Sequence, residues 1–203
     1  MNVSQAIRER RAVRDYTAEP VSAGLIYQLI SSATWAPSAM NEQPCQFTVI
    51  TDQDLLNEIS RQAKAWLLKN LSSMPRSAFF RDLLSQEKFH LFYHAPALII
   101  ISAPAGNQWT VEDCALAAQN MMLTATSLGL GSCWIGFAQG WLNTPEAQNL
   151  LNLSGQNLCV APIAIGHPKA VLPPVSRKVP AITWLGSKHH MDVTRIENSC
   201  EVS

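Results

Sequence analysis

Four of the chain's nine arginines, Arg8, Arg10, Arg11 and Arg14, lie within seven consecutive positions near the N-terminus. If the short helix that begins after Asn2 continues to Arg11, then Arg10 and Arg14 lie about one turn apart on the same side. Each guanidinium offers a planar fork of hydrogen-bond donors, so two of them can hold one phosphate group from two directions. The alternatives are a solvent-exposed helix end and a contact with nucleic acid.

A stiff polar loop, residues 36–44 (APSAMNEQP), joins the second predicted helix to the first predicted strand. Its two prolines restrict the backbone. Ser38, Asn41 and Gln43 add hydroxyl and amide groups that can hydrogen-bond the edge of a heterocycle. The alternative is an ordinary turn, because Pro, Ser and Asn are common turn residues.

Two further segments could contact a ligand. Glycines bracket a strand-like stretch in residues 129–137 (GLGSCWIGF), and they would let a flat molecule lie close to backbone N–H groups. The stretch follows a helix, so it is no dinucleotide-binding fingerprint, and a tight corner between helix and strand is the alternative. Arg177 and Lys178 follow two prolines near the C-terminus, where the alternative is a polar tail.

Metal and side-chain nucleophile chemistry find little support in the sequence. His90 and His94 have the spacing of two metal ligands on one helix face, but no third ligand is evident nearby. The five cysteines form no C-x-x-C pair, which argues against a zinc site, an iron–sulfur cluster and a disulfide framework. No base is readable beside Cys133, so we predict neither a metal site nor a catalytic side chain.

The periodicity of apolar residues predicts helices interleaved with a few strands. The predicted class is α+β, with a small, mostly antiparallel or mixed central sheet and helices packed around it. The predicted strands are residues 46–51, 97–102, 132–137 and 158–165. The predicted helices begin near Asn2, at Ser22, at Asp52 or Asp54, at Thr110 as the cap of a long helix to Leu128, and at Pro145.

Composition restricts the class of partner. The 203 residues carry 15 basic and 15 acidic side chains, so no net charge favours nucleic acid or an anionic membrane. Charged residues make up only 15% of the chain, which indicates that surface is buried against another subunit. No signal peptide or membrane-spanning run is present, and we expect a cytoplasmic protein.

The order of these segments along the chain is itself informative. They read RRAVRDY, APSAMNEQP, APALIII, DCALAAQNMMLTATSLGLGSCWIGF, IGHP and PPVSRK. In this order and spacing the chain resembles the FMN-dependent nitroreductase family from Ala6 to Trp184. The resemblance implies a nitroreductase-like α+β fold, a single flavin-binding domain over residues 1–203, and an intertwined homodimer with two FMN sites at the subunit interface.

The resemblance also implies a role for each cation. Arg10 and Arg11 would hold the FMN phosphate and ribityl oxygens, and Arg14 would lie near the pyrimidine edge of the ring. Arg177, and with it Lys178, would close the phosphate site.

Other positions would contact the flavin ring by the same resemblance. One set would lie along the isoalloxazine, with a backbone N–H near N5: Trp134, Ile135 and Gly136. A second set would line the flavin from the other subunit, in a loop that two amide side chains support: Pro37, Ser38 and Ala39, with Asn41 and Gln43.

The implied activity is NAD(P)H-dependent oxidoreduction. NADH or NADPH would deliver hydride to flavin N5, and a nitroaromatic or quinone would then accept it, in a ping-pong mechanism that needs no catalytic side chain. The alternatives are a flavoprotein of the same fold that carries out reductive dehalogenation or flavin fragmentation, and a non-enzymatic FMN-binding module. Ala12, Ala39 and Cys45 depart from the family's frequent Ser, Ser and Trp, which affects the substrate side more than FMN binding.

Overall fold

The structure is a computed structural model that describes residues 1–71, 77–153, 155–183 and 185. Met1–Leu172 form one unit, and Pro173–Ser203 form a second unit whose described residues contain no helix or strand. The helices of the first unit are α1 (Val3–Glu9), α2 (Ala23–Thr34), α3 (Gln53–Asn70), α4 (Ser77–Ser85), α5 (Thr110–Ser127), α6 (Gly136–Leu142) and α7 (Pro145–Leu150). The strands are β1 (Gln46–Ile50), β2 (Ala97–Pro104), β3 (Gly131–Trp134) and β4 (Asn157–Gly166).

The four strands form one sheet in the order β1-β2-β4-β3, and every neighbouring pair is antiparallel. The predicted α+β class with a small antiparallel sheet is therefore confirmed. Three strands lie close to their predicted positions. The third prediction, residues 132–137, is wrong beyond Trp134, because Gly136 begins α6 there and Ile135 precedes it as the helix cap.

Side-chain caps begin several helices at the predicted places. Asn2 accepts the N–H of Gln5 at 2.9 Å, Ser22 accepts that of Leu25 at 3.3 Å, and Asp52 accepts that of Leu55 at 2.8 Å. The prediction that Thr110 caps the long helix is wrong. Thr110 is the first helical residue, and its hydroxyl donates to the Pro104 carbonyl at 2.5 Å.

Two hydrophobic clusters cover opposite faces of the sheet, because successive side chains of a strand point to opposite sides. Leu98 and Ile100 of β2 pack on one face with α3 and α6. Ile99 and Ile101 pack on the other face with α2 and α5. β2 is buried on both faces from Ala97 to Ala103, as its continuous apolar run predicts.

Helix α5 is covered by its own chain on one side only. Cys114, Ala118 and Met121 are buried, whereas Val111 and Leu116 are exposed. Nearly all residues of α5 after Asp113 are small or apolar, which predicts burial around most of its circumference, but within a single chain only one face is buried. None of the described helices has the length and apolar content that crossing a bilayer requires.

Candidate functional site

The segment that carries the arginines lies against the edge of β3. The N–H of Val13 donates to the Ser132 carbonyl at 3.0 Å, and Ala12 bridges to Ser132 in parallel. The Tyr16 hydroxyl donates to the Val13 carbonyl at 2.8 Å. This close approach needs Gly131, because a Cβ at that position would lie 2.7 Å from the Val13 side chain.

The arginines are not held on a helix. Helix α1 ends at Glu9, and Arg10 has the extended ψ of 129°, so the helical spacing considered for Arg10 and Arg14 is wrong. Arg11 Nη1 donates to the carbonyls of Arg8 at 2.5 Å and Arg10 at 2.9 Å. The extended backbone instead carries this segment along the sheet edge.

Arg10 and Arg14 are nevertheless close enough to β3 for their charges to act on Cys133. Burial raises the pKa of the Cys133 thiol, and the two nearby guanidinium charges lower it in part. The Arg14 guanidinium carbon also lies 6.0 Å from the centroid of the Tyr93 ring. The structure therefore brings Arg10 and Arg14 together beside β3, and Tyr93 is a neighbour that the sequence gave no reason to select.

The end of β3 presents backbone and a buried hydroxyl to the same region. Ile135 N–H donates to the Pro162 carbonyl at 2.8 Å. Gly136 is the first residue of α6, and the N–H of a first helical residue has no acceptor within its own helix. Ser132 Oγ is buried and has no hydrogen-bond partner in the part of the chain that the structure describes.

Backbone and side-chain hydrogen bonds hold the polar loop rigidly. Gln43 N–H donates to Ser38 Oγ at 2.9 Å, and Gln43 Nε2 donates to Asn41 Oδ1 at 3.2 Å. Ala39 N–H donates at 3.0 Å to Asp113, a carboxylate in the first turn of α5 that is only 3% exposed. Asp113 was not selected from the sequence, although an acidic residue in the first turn of a helix was a signal for it.

The loop and the arginines lie at opposite edges of the sheet. The loop leads into β1 at one edge, the arginine segment lies against β3 at the other, and β2 and β4 separate them. Three spacings between neighbouring strands amount to about 14 Å. One chain thus carries two half-sites, which we call the arginine half-site (Arg10, Arg14 and residues 132–136) and the loop half-site (residues 37–43).

A model of the nitroreductase family matches residues 7–167, which include both half-sites. The chain belongs to the nitroreductase family. The matched residues end within the first unit, before Arg177 and Lys178.

Curated relatives of this nitroreductase-family chain carry reductase names. A candidate NADH dehydrogenase/NAD(P)H nitroreductase from Methanothermobacter thermautotrophicus is 31% identical over 140 residues, which is 67% of this chain but 61% of that protein. This chain thus spans less than two thirds of that relative. The nitrobenzene nitroreductase of Ectopseudomonas oleovorans is 25% identical over 204 aligned positions, covering 84% of this chain and 88% of that enzyme.

A solved structure shares the architecture. The crystal structure of a nitroreductase with bound FMN from Bacteroides fragilis matches 91% of this chain and 99% of its own, with a TM-score of 0.79 and 28% identity. This likeness and the four-stranded antiparallel sheet confirm the predicted nitroreductase-like fold.

The C-terminal cations of this nitroreductase-family chain fall in the second unit. Arg177 and Lys178 are exposed and lie in a stretch without regular secondary structure. Their predicted role at the phosphate stays a prediction, as do the other residue assignments.

His90 and His94 line a cavity of about 470 Å³, and none of the half-site residues lines that cavity. Their rings stack with centroids 4.5 Å apart, and burial lowers the pKa of His90 to about 4. His90 Nδ1 accepts the N–H of Phe92 at 3.2 Å. Within the described ranges, no three metal-ligating side chains cluster here or elsewhere.

Proposed function

We propose that this nitroreductase-family chain is an FMN-dependent NAD(P)H oxidoreductase that passes hydride through flavin N5 to electron-poor acceptors, such as nitroaromatics and quinones, by a ping-pong mechanism. The observation that carries the proposal is the arginine half-site, where the guanidinium charges of Arg10 and Arg14 lie beside Cys133 of β3. The NAD(P)H nitroreductase name of one relative and the FMN bound to the Bacteroides fragilis nitroreductase support it.

The residues of the two half-sites fit such a cofactor. FMN presents a phosphate, ribityl hydroxyls and a flat ring with hydrogen-bonding edges. The arginine half-site offers cations for the phosphate and a buried, unpartnered Ser132 hydroxyl. The loop half-site offers the polar side chains that its internal hydrogen bonds hold in place.

We assign the following roles to the chain's own residues. Arg10 and Arg11 bind the phosphate and ribityl oxygens. Arg14 places positive charge at the pyrimidine edge, where negative charge accumulates on reduction. When bound, the flavin supplies the atom that accepts and donates hydride, so no side chain has to act as base or nucleophile.

The strand end positions the ring in this proposal. Trp134 and Ile135 would lie along the isoalloxazine. Because the Ile135 N–H is committed to Pro162, the Gly136 N–H at the start of α6 is the better candidate for the donor near N5.

We further propose that the functional unit is a homodimer. Within one chain the loop half-site leads into one edge strand of the sheet and the arginine half-site lies at the other edge, so in this proposal two chains supply the two half-sites of each flavin site. In a symmetric dimer, Pro37, Ser38 and Ala39 of one protomer can complete the arginine half-site of the other. The exposed apolar side chains of Val111 and Leu116 on α5 supply surface for the interface.

The direct test is the absorbance spectrum of the purified protein, followed by anaerobic titration with NADH and with NADPH. We expect the yellow spectrum of a flavin, bleaching with either or both nicotinamides, and recovery of the spectrum when a nitroaromatic or quinone is added. Protein that stays colourless after reconstitution with FMN would contradict the cofactor assignment. Protein that holds FMN but is not bleached would contradict the activity.

A further inference from the structure

Two thiols touch each other beside the loop half-site. Cys45 lies just before β1, Cys114 lies in the second turn of α5, and their sulfur atoms are 3.9 Å apart. Both are free thiols. This pair has no place in the proposed flavin chemistry, although it borders the residues that the proposal uses.

A small reagent can reach one of the two sulfurs. Cys45 is only partly buried, whereas Cys114 has no exposed surface. Cys45 also lines a cavity of about 100 Å³ together with Ser38 and Asp113. Liquid water occupies about 30 Å³ per molecule, so this cavity has room for a molecule of the size of hydrogen peroxide.

The contact makes the two thiols chemically unequal. The hydrogen bond between them lowers the pKa of Cys45 and raises the pKa of Cys114. When Cys45 is ionised, the Cys114 S–H donates to its sulfur. The thiolate is the reactive form of cysteine. Cys45 is therefore the sulfur that attacks first, and Cys114 stays protonated at that stage.

We propose that Cys45 and Cys114 form a peroxide-oxidised dithiol, in which Cys45 is the attacked thiol and Cys114 resolves it. In the first step the Cys45 thiolate attacks one oxygen of hydrogen peroxide, the O–O bond breaks, and protonation of the leaving hydroxide gives water and Cys45 sulfenic acid. In the second step Cys114 sulfur attacks Cys45 sulfur, the S–O bond breaks, and the hydroxyl leaves as a second water with the Cys114 proton. Two thiols are oxidised to one disulfide, and one peroxide is reduced to two waters.

The product would tie the loop half-site to α5. Asp113, next to Cys114, already accepts the Ala39 N–H, so the disulfide would add a covalent link beside that hydrogen bond. The bond requires the sulfurs to move closer than their present contact. The Cys45 side chain can make that movement because it borders the cavity.

To test this, the reduced full-length protein is treated with one to ten equivalents of hydrogen peroxide per chain. The remaining thiols are then blocked with iodoacetamide, and the protein is mapped by mass spectrometry without reduction. Cleavage after glutamates leaves Cys45 in residues 43–58 and Cys114 in residues 113–146. Fragmentation within the second peptide separates Cys114 from Cys133. We expect a Cys45–Cys114 linked peptide with the loss of two hydrogens. Free Cys45 after this treatment, or Cys45 linked to any other cysteine, would overturn the proposal.

Variants assign the two roles. In Cys114→Ala we expect no linked peptide, and we expect Cys45 sulfenic acid that dimedone traps and that excess peroxide oxidises further. In Cys45→Ser we expect Cys114 to remain a thiol. Cys159→Ala is the matched control, because Cys159 is equally buried and burial raises its pKa to about 11; it should form the linkage as the wild type does.

The outcome does not depend on the proposed flavin chemistry. The linked peptide is measured without nicotinamide or acceptor. If Cys114→Ala does not fold, the wild-type protein alone still shows whether the Cys45–Cys114 disulfide forms. A dimedone adduct on Cys114 in place of Cys45 would reverse the assigned roles and overturn the mechanism.

Discussion

At the residue scale, the proposed cofactor site depends on a few cations held by extended backbone. Arg10 and Arg14 were selected from the sequence for their clustering, and the structure brings both near Cys133 of β3. The geometry expected for them was a helix, yet α1 ends at Glu9. The two arginines therefore lie together beside β3 without a shared helix, and their contact with a cofactor stays a prediction.

Removing one of these cations should weaken cofactor retention. We predict that Arg10→Ala and Arg14→Ala each raise the Kd for FMN roughly 10- to 100-fold, because a charge-assisted hydrogen bond contributes about 1.5–3 kcal/mol. Fluorescence titration of apoprotein with FMN measures this. Arg8→Ala, which removes the same charge from an exposed position on α1, is the control and should bind as the wild type does. Equal affinity in all three variants would reject the assignment.

At the element scale, the edge of β3 positions the arginine segment. The Val13–Ser132 hydrogen bond and the absence of a side chain at Gly131 together let residues 10–16 lie against the strand. Any side chain at Gly131 must push Val13, which is buried, away from that edge.

We therefore predict that Gly131→Ala destabilises the protein by about 1–3 kcal/mol, as overpacking of a buried site does. For a chain of this length that corresponds to a drop in Tm of roughly 2–12 °C, measurable by calorimetry. FMN affinity should fall with it, since the arginine segment shifts. Gly106→Ala is the control, because a Cβ there meets nothing within 4 Å. An unchanged Tm in Gly131→Ala would show that the segment does not pack as described.

Most elements were predictable from the sequence, because strong local signals specify them. Asn2, Ser22 and Asp52 are side-chain caps, and the β2 run is apolar throughout. The errors arise where tertiary contacts override local pattern. Thr110 turns its hydroxyl to Pro104 and does not cap α5, and the apolar stretch after Trp134 bends into α6.

The same distinction applies to the candidate site. Clustering and residue chemistry selected the segments that the structure places at the two sheet edges, and the flavin contacts of their residues stay predictions. Asp113 and Tyr93 were missed because each contacts a half-site from a segment that is distant in the sequence. Their contribution comes from the packing of the chain, which no local pattern encodes.

At the scale of the whole molecule, the low charge content and the two separated half-sites point to the same assembly. Charged residues form 15% of the chain, and α5 leaves Val111 and Leu116 exposed. A dimer would bury this surface and complete both flavin sites at once.

We predict that the wild type sediments at twice the 22.3 kDa chain mass and that Leu116→Asp shifts it to the monomer with loss of FMN. A charge placed in a buried interface costs more free energy than the lost apolar contact alone. Leu150→Asp is the matched control, since Leu150 is 41% exposed on α7 and Leu116 is 45% exposed on α5. A wild-type monomer that holds FMN would contradict the dimer.

In the proposed dimer, each flavin site joins the arginine half-site of one chain to the loop half-site of another. The most direct test combines two defective chains with different affinity tags, Arg10→Ala/Arg14→Ala and Ala39→Trp, whose homodimers should each hold little FMN. Tandem purification isolates the heterodimer, in which one of the two sites has both halves intact. We predict about one FMN per heterodimer, half the wild-type content. A heterodimer as empty as either homodimer would contradict the claim, because it would place both halves of the site in one chain.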